Sequence, residues 1–558
     1  MRRYIFLLFL TAGILTARPA HIRSINVPAI EGDATQALQQ AINEAAGYGG
    51  KPVVIQLQNA DYHLYRSSST ERPYHVSNTT SEKENPDVTK HIGLWMKGLR
   101  NVTLSGRGAR LITHGEMTAF VIDSCRNIRL TGFTLNAADP TVPEMTVTET
   151  GEDQMTVSIH PQTRYSIRDG RLWFEGDSWA WSTGIAQIYD PERDITWRSW
   201  MPLNDQLKAE QLEPGRVRLS FRKMSVVKPG YVFQMRDSYR DEVCGLIQYS
   251  RDVSLDNLHV AFAGNFSIVA QMTENLTYRH LTLEPEPGSG RTCAGFADFL
   301  HFSGCAGRVL VEDSRFVGSQ DDPINVHGTH LSVREFTSPT ELRVRYMHGQ
   351  TFGFQSFLPG NQVDFVDAHT LLPLGTFRVR EARMLNPREI MVRLTRPVPQ
   401  TIRDNPELVL ENVTFTPEVV VRNNYFARVP TRGILVSTRR PVLIEGNLFF
   451  RTQHSGVLIA DDARSWYESG MVRDVTIRGN RFVECGSPAI LIAPENDRNA
   501  GCVHRGICIE NNHFRLSGGK AVSARSVDGL RIQGNTITGP SDGEPIQVRD
   551  CENVQALP

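Results

Sequence analysis

Two acidic segments lie close together in the middle of the chain. Asp298 stands in Phe296-Ala-Asp-Phe-Leu-His-Phe302, and Asp321 and Asp322 stand in Gly318-Ser-Gln-Asp-Asp-Pro-Ile-Asn-Val-His327. Paired carboxyl groups can carry out general acid–base chemistry, in which one donates a proton while the other accepts one. Asp-Asp-Pro is also an ordinary turn sequence, so this motif alone leaves a purely structural role open.

The elements that must position these carboxyl groups are short strands in a repeat. The unit reads apolar-x-apolar-x-(Gly/Asn/Asp)-Asn-x-Phe or a close variant, with clear copies that start at residues 419, 442, 475, 507 and 530. Weaker copies start at residues 128, 253, 276 and 309, and several steps between copies are 23 residues. A period of this length with alternating apolar residues is typical of one rung of a parallel β-helix. The Asn side chains at each corner can then bond from rung to rung.

Two long segments interrupt the repeat. Residues 137–240 and 329–412 hold alternating strands and Pro-Gly turns, which predict two small β-barrel-like insertions. A helical pattern from Ala34 to Ala45 would cover the open edge of the first rung. The sequence therefore predicts an all-β fold, a right-handed parallel β-helix (solenoid) with two small β-barrel-like insertions and an N-terminal capping helix. The predicted boundaries are 1–20 for a signal peptide, 21–136 for the cap and first rungs, 137–240 and 329–412 for the insertions, 241–328 for the central rungs and 413–558 for the C-terminal rungs.

A second strand in each rung can be aligned by its apolar residues. The rows 245–249, 267–271, 298–302 and 323–327, with their downstream counterparts, have apolar residues at the second place and mostly at the fourth. These places must point inward, so the first, third and fifth point outward. The alignment predicts that Asp298, Asn325 and His327 point outward and that His301 lies in the core. Polar residues gather on adjacent rungs between the insertions, where we expect the site.

The same alignment gives a spacing for two of the carboxyl groups. Asp321 stands two residues before the first place of its row, so it shares the outward parity of Asp298. One strand spacing (~4.8 Å) and two residues (~6.6 Å) place them about 8 Å apart. Inverting glycoside hydrolases separate their carboxyl groups by about 6.5–9.5 Å, whereas retaining enzymes hold them about 5 Å apart. Asp322 has the opposite parity and would turn inward in a regular strand.

Other polar residues near these carboxyl groups are candidates for binding a sugar. Arg240 and Glu242, at the exit of the first insertion, could clamp a ligand, although Arg240-Asp241-Glu242 is equally consistent with a solvated charge run. The full set of predicted substrate-binding residues is Asn325, His327, Gln320, Gln271, Arg240 and Glu242.

The composition excludes several classes of protein. Lys+Arg is 60 and Asp+Glu is 61, so the net charge of −1 argues against a nucleic-acid-binding protein. The eight Cys residues form no CxxC pair and predict buried thiols. An apolar stretch at residues 4–15 follows Arg2 and Arg3, with Ala17 and Ala20 as small residues for cleavage, which predicts a secretory signal peptide. No later stretch is long enough to span a bilayer, so we expect an exported protein without a membrane span.

The rungs, the two insertions and the segments around Asp298 and Asp321 resemble the glycoside hydrolase family 110 α-1,3-galactosidases of gut bacteria. The resemblance implies removal of terminal α-1,3-linked galactose from blood group B structures, with inversion and without a metal or other cofactor. One subgroup also accepts linear Galα1-3Gal. It implies that Asp321 is the general base and that Asp298 and Asp322 are the two candidates for the acid, of which parity favours Asp298. It also implies a periplasmic, cell-surface or secreted protein of a Gram-negative bacterium whose partner is an oligosaccharide, with the oligomeric state open.

Two other functions remain open from the residues. One is another β-helix carbohydrase, such as a polygalacturonase-like hydrolase or a polysaccharide lyase, for which an open basic groove would be expected. The other is a non-catalytic surface protein that uses the rungs as a carbohydrate-binding platform.

Overall fold

The computed structural model describes residues 22–556. The predicted signal peptide lies outside the described residues. Three parallel sheets form a β-helix around one long hydrophobic core. The predicted fold class is confirmed.

Each sheet of the β-helix collects strands from successive rungs. The first sheet contains Arg23–Val27, Val53–Leu57, Arg100–His114, Arg126–Ala137, Arg251–Asp256, Glu274–Arg279, Ala306–Glu312, Glu418–Arg422, Val442–Glu445, Val475–Arg478, His504–Glu510, Val527–Gln533 and Gln555–Ala556. The strands Arg100–His114 and Arg126–Ala137 are long enough to continue from the first sheet into the second. The other strands of the second sheet are Asp61–Tyr65, His259–Val260, Thr282–Leu283, Arg315–Val317, Tyr425–Ala427, Leu448–Phe450, Arg481–Val483, His513–Arg515 and Thr536–Thr538.

The third sheet carries the site. It contains Thr89–Lys97, Thr118–Asp123, Gly245–Gln248, Ile268–Gln271, Leu300–Ser303, Ile324–Thr329, Ile434–Val436, Val457–Ile459, Ile490–Ile492, Val522–Arg525 and Ile546–Arg549. Thr70–Pro73 pairs antiparallel with its first strand, and Glu468–Ser469 pairs antiparallel with the end of Ile324–Thr329. That second pairing brings a distant loop onto the rung that follows Asp321 and Asp322.

The repeat read from the sequence sets the register of the first sheet. Val253 pairs with Leu276, and Val419 pairs with Val442, each 23 residues along the chain. The corner asparagines bond from rung to rung as predicted: Nδ2 donates to the next Oδ1 at 3.0 Å along Asn424, Asn447, Asn480, Asn512 and Asn535. The residue before each of these, such as Asn423 with a φ of 57°, takes the left-handed conformation that turns the corner.

The predicted N-terminal helix spans Thr35–Ala46 and packs on the first strands. It buries Leu38, Ala41 and Ile42, which cover the apolar edge that the first rung would otherwise expose. The other helices within residues 22–556 are the 3₁₀ turn Arg66–Ser68 and the four-residue segments Pro202–Asp205 and Gln400–Arg403. Among the described residues, no helix has the length and apolar character needed to cross a bilayer.

Two insertions flank the central rungs. The first has a seven-stranded sheet and a three-stranded sheet around their own core. The second is a closed six-stranded barrel. The seven-stranded sheet of the first insertion consists of Glu144–Thr150, Gln154–Ile159, Ile185–Asp190, Ile195–Ser199, Gln206–Glu213, Arg216–Phe221 and Val232–Arg236. Its three-stranded sheet consists of Arg164–Arg168, Arg171–Glu175 and Ala180–Trp181. The barrel of the second insertion consists of Leu331–Ser338, Glu341–Arg345, Gln362–Asp367, Pro373–Asn386, Glu389–Leu394 and Leu408–Asn412.

The predicted alignment of two rows in the third sheet is wrong by one residue. Leu300, and not Phe299, pairs with Ile324, and His301 pairs with Asn325. The reason is that Phe299, Leu300 and Phe302 are all buried in the core, so apolar residues occupy both parities and cannot fix the register. The row at 245 shifts by one residue in the opposite direction, since Gly245, and not Leu246, pairs with Ile268. His301 therefore shares the outward face with Asn325, and the prediction that it lies in the core is corrected.

Candidate active site

A cavity of about 180 Å³ opens on the third sheet beside the first insertion. Its lining includes all three predicted catalytic carboxyl groups. The lining residues are Asn78, Arg240, Asp298, Asp321, Asp322, Asn325, Arg432, Leu435, Ser437, Leu458, Ala460, Asp462, Trp466, Glu468 and Glu495. A second cavity of about 400 Å³, walled by the first insertion, shares Arg240, Asp321 and Trp466 with it. The two spaces therefore meet at these three side chains.

Asp298 precedes the strand Leu300–Ser303 and is almost fully buried. Its Oδ2 lies 2.8 Å from Nδ1 of His301. Burial, together with the nearby Asp321 carboxylate, raises the pKa of Asp298 well above its ordinary range. A carboxyl group that keeps its proton at neutral pH is suited to the role of general acid.

Asp322 is held by a residue from the next rung. The backbone N–H of Arg432 donates to Oδ1 at 3.1 Å, and Arg432 Nη2 donates to Oδ2 at 2.6 Å. Burial and the neighbouring carboxyl groups raise the pKa of Asp322 to about 7, while Arg432 acts in the opposite direction. Because both oxygens accept hydrogen bonds, the geometry fits a carboxylate that orients Arg432 better than a proton donor.

Asp321 lies at the junction of the two cavities and is more exposed than its neighbours. Its Oδ2 accepts a hydrogen bond of 2.8 Å from Nη2 of Arg198, which belongs to the strand Ile195–Ser199 of the first insertion. An ion-paired carboxylate beside the cavity can take a proton from water. The first insertion thus contributes directly to the site.

The opposite wall of the cavity comes from residues far along the chain. Glu468 Oε1 accepts a hydrogen bond of 3.0 Å from Nδ2 of Asn78. Asp462 accepts from the backbone N–H groups of residues 464–467 and so fixes the loop that carries Trp466. Trp466 is 43% exposed, and its ring packs against His348 of the second insertion, with the ring centroids 4.4 Å apart and the planes tilted by 31°. An exposed aromatic ring at the rim of a polar cavity is suited to packing against a sugar.

Comparison with known proteins places these residues in a family. The chain is 45% identical to an "Alpha-1,3-galactosidase A" of Bacteroides thetaiotaomicron, over 96% of this chain and 95% of that protein. It is 36% identical to the enzyme of the same name from Bacteroides fragilis strain YCH46, over 90% and 84% of the two chains. It is 31% identical to an "Alpha-1,3-galactosidase B" of B. thetaiotaomicron, over 92% and 84%. This chain belongs to the family 110 α-1,3-galactosidases.

Family models match three parts of this α-1,3-galactosidase family member. GLAA-B beta-barrel domain I matches residues 143–233, GLAA-B beta-barrel domain II matches 341–405, and the right handed beta helix region matches 410–505. The first two matches fall on the two insertions, and the third gives the hand of the β-helix.

Of the predicted substrate-binding residues, Asn325 and Arg240 line the smaller cavity and Gln320 lines the larger one. Asn325 Oδ1 and Gln320 Nε2 are buried and have no hydrogen-bond partner in the described part of the chain. Gln320 is held through its other atom, because Oε1 accepts from Arg236 Nε at 3.1 Å. An unpaired buried acceptor and donor at a cavity wall suit a ligand rich in hydroxyl groups.

Three other predicted sugar ligands are used inside the protein. His327 is 2% exposed and lies beneath the cavity, with Nδ1 2.6 Å from the carbonyl oxygen of Gly328. Gln271 is fully buried and bonds to the backbone at Ser77 and His75. Glu242 accepts from Thr118 and from the backbone N–H of His91. These predictions are corrected, because neighbouring segments of the chain cover the three side chains and use their polar atoms.

Asp298 and Asp321 do not stand two residues apart along the strands, as the predicted spacing of about 8 Å assumed. Phe299 N donates to the carbonyl oxygen of Asp322 at 3.3 Å, so Asp298 lies level with Asp322 and only one residue from the level of Asp321. Strand counting therefore no longer separates an inverting spacing from a retaining one.

Sequence reasoning missed Arg198, Arg432, Glu468, Asn78 and Trp466. For Arg432 there was a signal: Asp298, Asp322 and Arg432 each stand two residues before Leu300, Ile324 and Ile434, which pair in succession from strand to strand. A column of two acids and one arginine at the same corner predicts an ion pair. The other four come from loops or from an insertion, whose placement no repeat fixes.

Proposed function

We propose that this protein is an exo-acting, inverting α-1,3-galactosidase that releases terminal galactose from branched blood group B glycans. The observation that carries the proposal is the buried Asp298, whose pKa is raised, beside the ion-paired Asp321 at a single small cavity. The names of relatives of up to 45% identity support the activity and the linkage.

In the proposed reaction, Asp321 takes a proton from a water molecule as the water oxygen bonds to the anomeric carbon of galactose. The bond from that carbon to the glycosidic oxygen breaks, and Asp298 transfers its proton to the leaving oxygen. Asp322 and Arg432 hold each other at the floor of the cavity. Asn325, with its unpaired Oδ1, accepts a hydrogen bond from a galactose hydroxyl.

The shape of the site supports attack at a chain end. The smaller cavity has room for about one sugar ring, while the larger adjoining cavity can receive the rest of the glycan. Asp321, at the junction, then lies beside the bond to be cleaved.

The test follows galactose released from the blood group B trisaccharide and from linear Galα1-3Gal. We expect Asp321→Asn and Asp298→Asn to lower kcat by about 10²–10⁴-fold, the contribution of a general acid or base. Proton NMR of the first product should show β-galactose. An α-galactose product contradicts inversion, and near wild-type turnover in both variants contradicts the assignment of the residues.

The cavity disfavours the other β-helix carbohydrases considered above. Carboxyl groups outnumber arginines in its lining, where Asp298, Asp321, Asp322, Asp462, Glu468 and Glu495 face Arg240 and Arg432. An anionic polymer such as polygalacturonate would be repelled by this wall. A binding platform without catalysis predicts saturable binding of the trisaccharide with no release of galactose.

We also propose that residues 1–20 direct export to the periplasm or beyond of a Gram-negative cell. The observation is the basic start followed by a short apolar stretch and small residues. Cell fractionation of the full chain and of a version lacking residues 2–20 tests it. Equal amounts of both versions in the periplasm would contradict export by this segment.

A further inference from the structure

Beneath the cavity, two histidines connect a pair of carboxyl groups that both line it. Asp298 Oδ2 lies 2.8 Å from His301 Nδ1, and His301 Nε2 lies 3.0 Å from His327 Nε2. His327 Nε2 is also 3.5 Å from Oε1 of Glu468. Both imidazole side chains are at most 1% exposed. We infer that His301 and His327 form a buried relay that holds the catalytic proton of Asp298 toward the substrate and stabilises the carboxylate left behind.

The inference rests on the proposed function, in which Asp298 is the general acid. The positions of the protons in the relay follow from His327, the histidine farther from Asp298. His327 Nδ1 lies 2.6 Å from the carbonyl oxygen of Gly328, which can only accept. His327 therefore carries a proton on Nδ1. The two remaining contacts of the relay join His327 Nε2 to His301 Nε2 and His301 Nδ1 to Asp298 Oδ2, and each needs one proton between its two atoms.

Two arrangements of these protons are available. In one, Asp298 Oδ2 carries the proton and donates to His301, which donates to His327, and both rings are neutral. In the other, His327 Nε2–H donates to His301 Nε2, and His301 Nδ1–H donates to Asp298 Oδ2. With Asp298 protonated on Oδ1, this second arrangement holds one proton more than the first, taken from solvent: His327 is then a cation beside the Glu468 carboxylate, and Oδ1 of Asp298 carries the catalytic proton.

The second arrangement serves the reaction. When Oδ1–H of Asp298 passes its proton to the leaving oxygen, the new carboxylate already accepts a hydrogen bond from His301, and the His327 cation compensates its charge. The proton on Asp298 is restored from water through the cavity after galactose leaves. No other atom changes its bonding, so His301 and His327 act as positioning residues and do not touch the substrate.

The surroundings of the relay fit these roles. Burial and the neighbouring His327 lower the pKa of His301 well below its ordinary range, so His301 is the neutral link in both arrangements. The charged groups near Asp298 are Arg240 and Arg432, which favour its ionised form, and Asp321 and Glu468, which oppose it. Arg240 also faces His301. Glu468 is fixed by Asn78, so the charge that faces His327 cannot swing away without breaking that bond.

The first experiment compares leaving groups. In His301→Asn, the amide can still donate to Asp298 from the place of Nδ1 but cannot reach His327. We expect this variant and Glu468→Gln to lower kcat for the trisaccharide by about 10–100-fold, while kcat for 2,4-dinitrophenyl α-galactoside, which needs no acid, stays within about 3-fold. His504→Gln is the matched control, because His504 is equally buried but lies in the first sheet.

The outcomes separate the relay from packing and from the proposed function. Equal losses on both substrates, or the same selective loss in His504→Gln, would overturn the relay. A His301→Asn variant with wild-type turnover of the trisaccharide would also overturn it. If the wild-type protein releases galactose from neither substrate, the proposed function fails instead.

A second measurement does not depend on activity. Nitrogen-15 NMR of the full chain labelled at histidine reports which ring nitrogens carry protons. The signals that disappear in the His301→Asn and His327→Gln variants assign the resonances of these two residues. We expect His301 to be neutral and His327 to be protonated on both nitrogens, and we expect Glu468→Gln to shift His327 toward neutrality. A neutral His327 in the wild-type protein at the working pH overturns the relay.

Discussion

Arg432 and Asp322, which each precede one of two neighbouring strands of the third sheet, are joined at two points. The backbone N–H of Arg432 lies 3.1 Å from Oδ1 of Asp322, and its Nη2 lies 2.6 Å from Oδ2. Asp322 is almost fully buried, whereas Arg432 is partly exposed. The pair thus couples the stability of the rung to the floor of the cavity.

We expect Arg432→Met to lower the free energy of unfolding by about 3 kcal/mol, because it leaves a buried carboxylate without its cation. The double variant Arg432→Met/Asp322→Asn should recover most of this loss, since the remaining side chain is neutral. Urea denaturation of the four proteins in the cycle gives the coupling energy. Additive losses in the double variant would contradict a direct pair.

Glu242, which does not line the cavity, should make the free energy of unfolding depend on pH. Burial raises its pKa to about 7, so the folded protein binds a proton on Glu242 more tightly than the unfolded chain does. The free energy of unfolding therefore carries a penalty that grows as the pH rises from about 4 to about 7 and is constant above that. Glu242→Gln should remove the penalty.

We expect Glu242→Gln to stabilise the protein by about 2 kcal/mol at pH 8 and by much less at pH 4.5. Chemical denaturation at the two pH values measures the difference. KM for the trisaccharide should stay at the wild-type value, because Glu242 bonds to Thr118 and His91 and not to the ligand. A raised KM would restore Glu242 to the substrate-binding set.

Trp466 should determine affinity for the part of the glycan beyond the terminal galactose. Its ring lies at the junction of the two cavities and is braced by His348. We expect Trp466→Ala to raise KM for the trisaccharide about 3–10-fold with little change in kcat, and Trp466→Phe to keep most of the affinity. Methyl α-galactoside lacks the second sugar and serves as the control substrate. An equal rise in its KM would place Trp466 against the galactose itself.

The asparagine stack should determine stability without affecting catalysis. Asn480 is fully buried and bonds to asparagines on both neighbouring rungs, whereas Asn535 ends the stack and is half-buried. We expect Asn480→Ala to cost about 2–3 kcal/mol, because it leaves buried backbone and side-chain groups unpaired, and Asn535→Ala to cost about 1 kcal/mol. Thermal unfolding measures both. Equal effects would contradict a cooperative stack.

The sequence alone determined the β-helix, because a local pattern repeats every rung. Alternating apolar residues must face a common core, and 23-residue steps place Val253 beside Leu276 and Val419 beside Val442 without any long-range information. It also located Asp298, Asp321 and Asp322, since acidic residues on successive rungs of one sheet must lie near each other.

Only the tertiary structure decided what surrounds these carboxyl groups. The row at Asp298 has apolar residues at both parities, so its register, and with it the outward face of His301, followed from packing. Arg198, Glu468 and Asn78 reach the site from an insertion and from loops that obey no period. The general lesson is physical: a repeat fixes neighbours along the stack, but the contacts between a loop and a distant rung depend on how the whole chain folds.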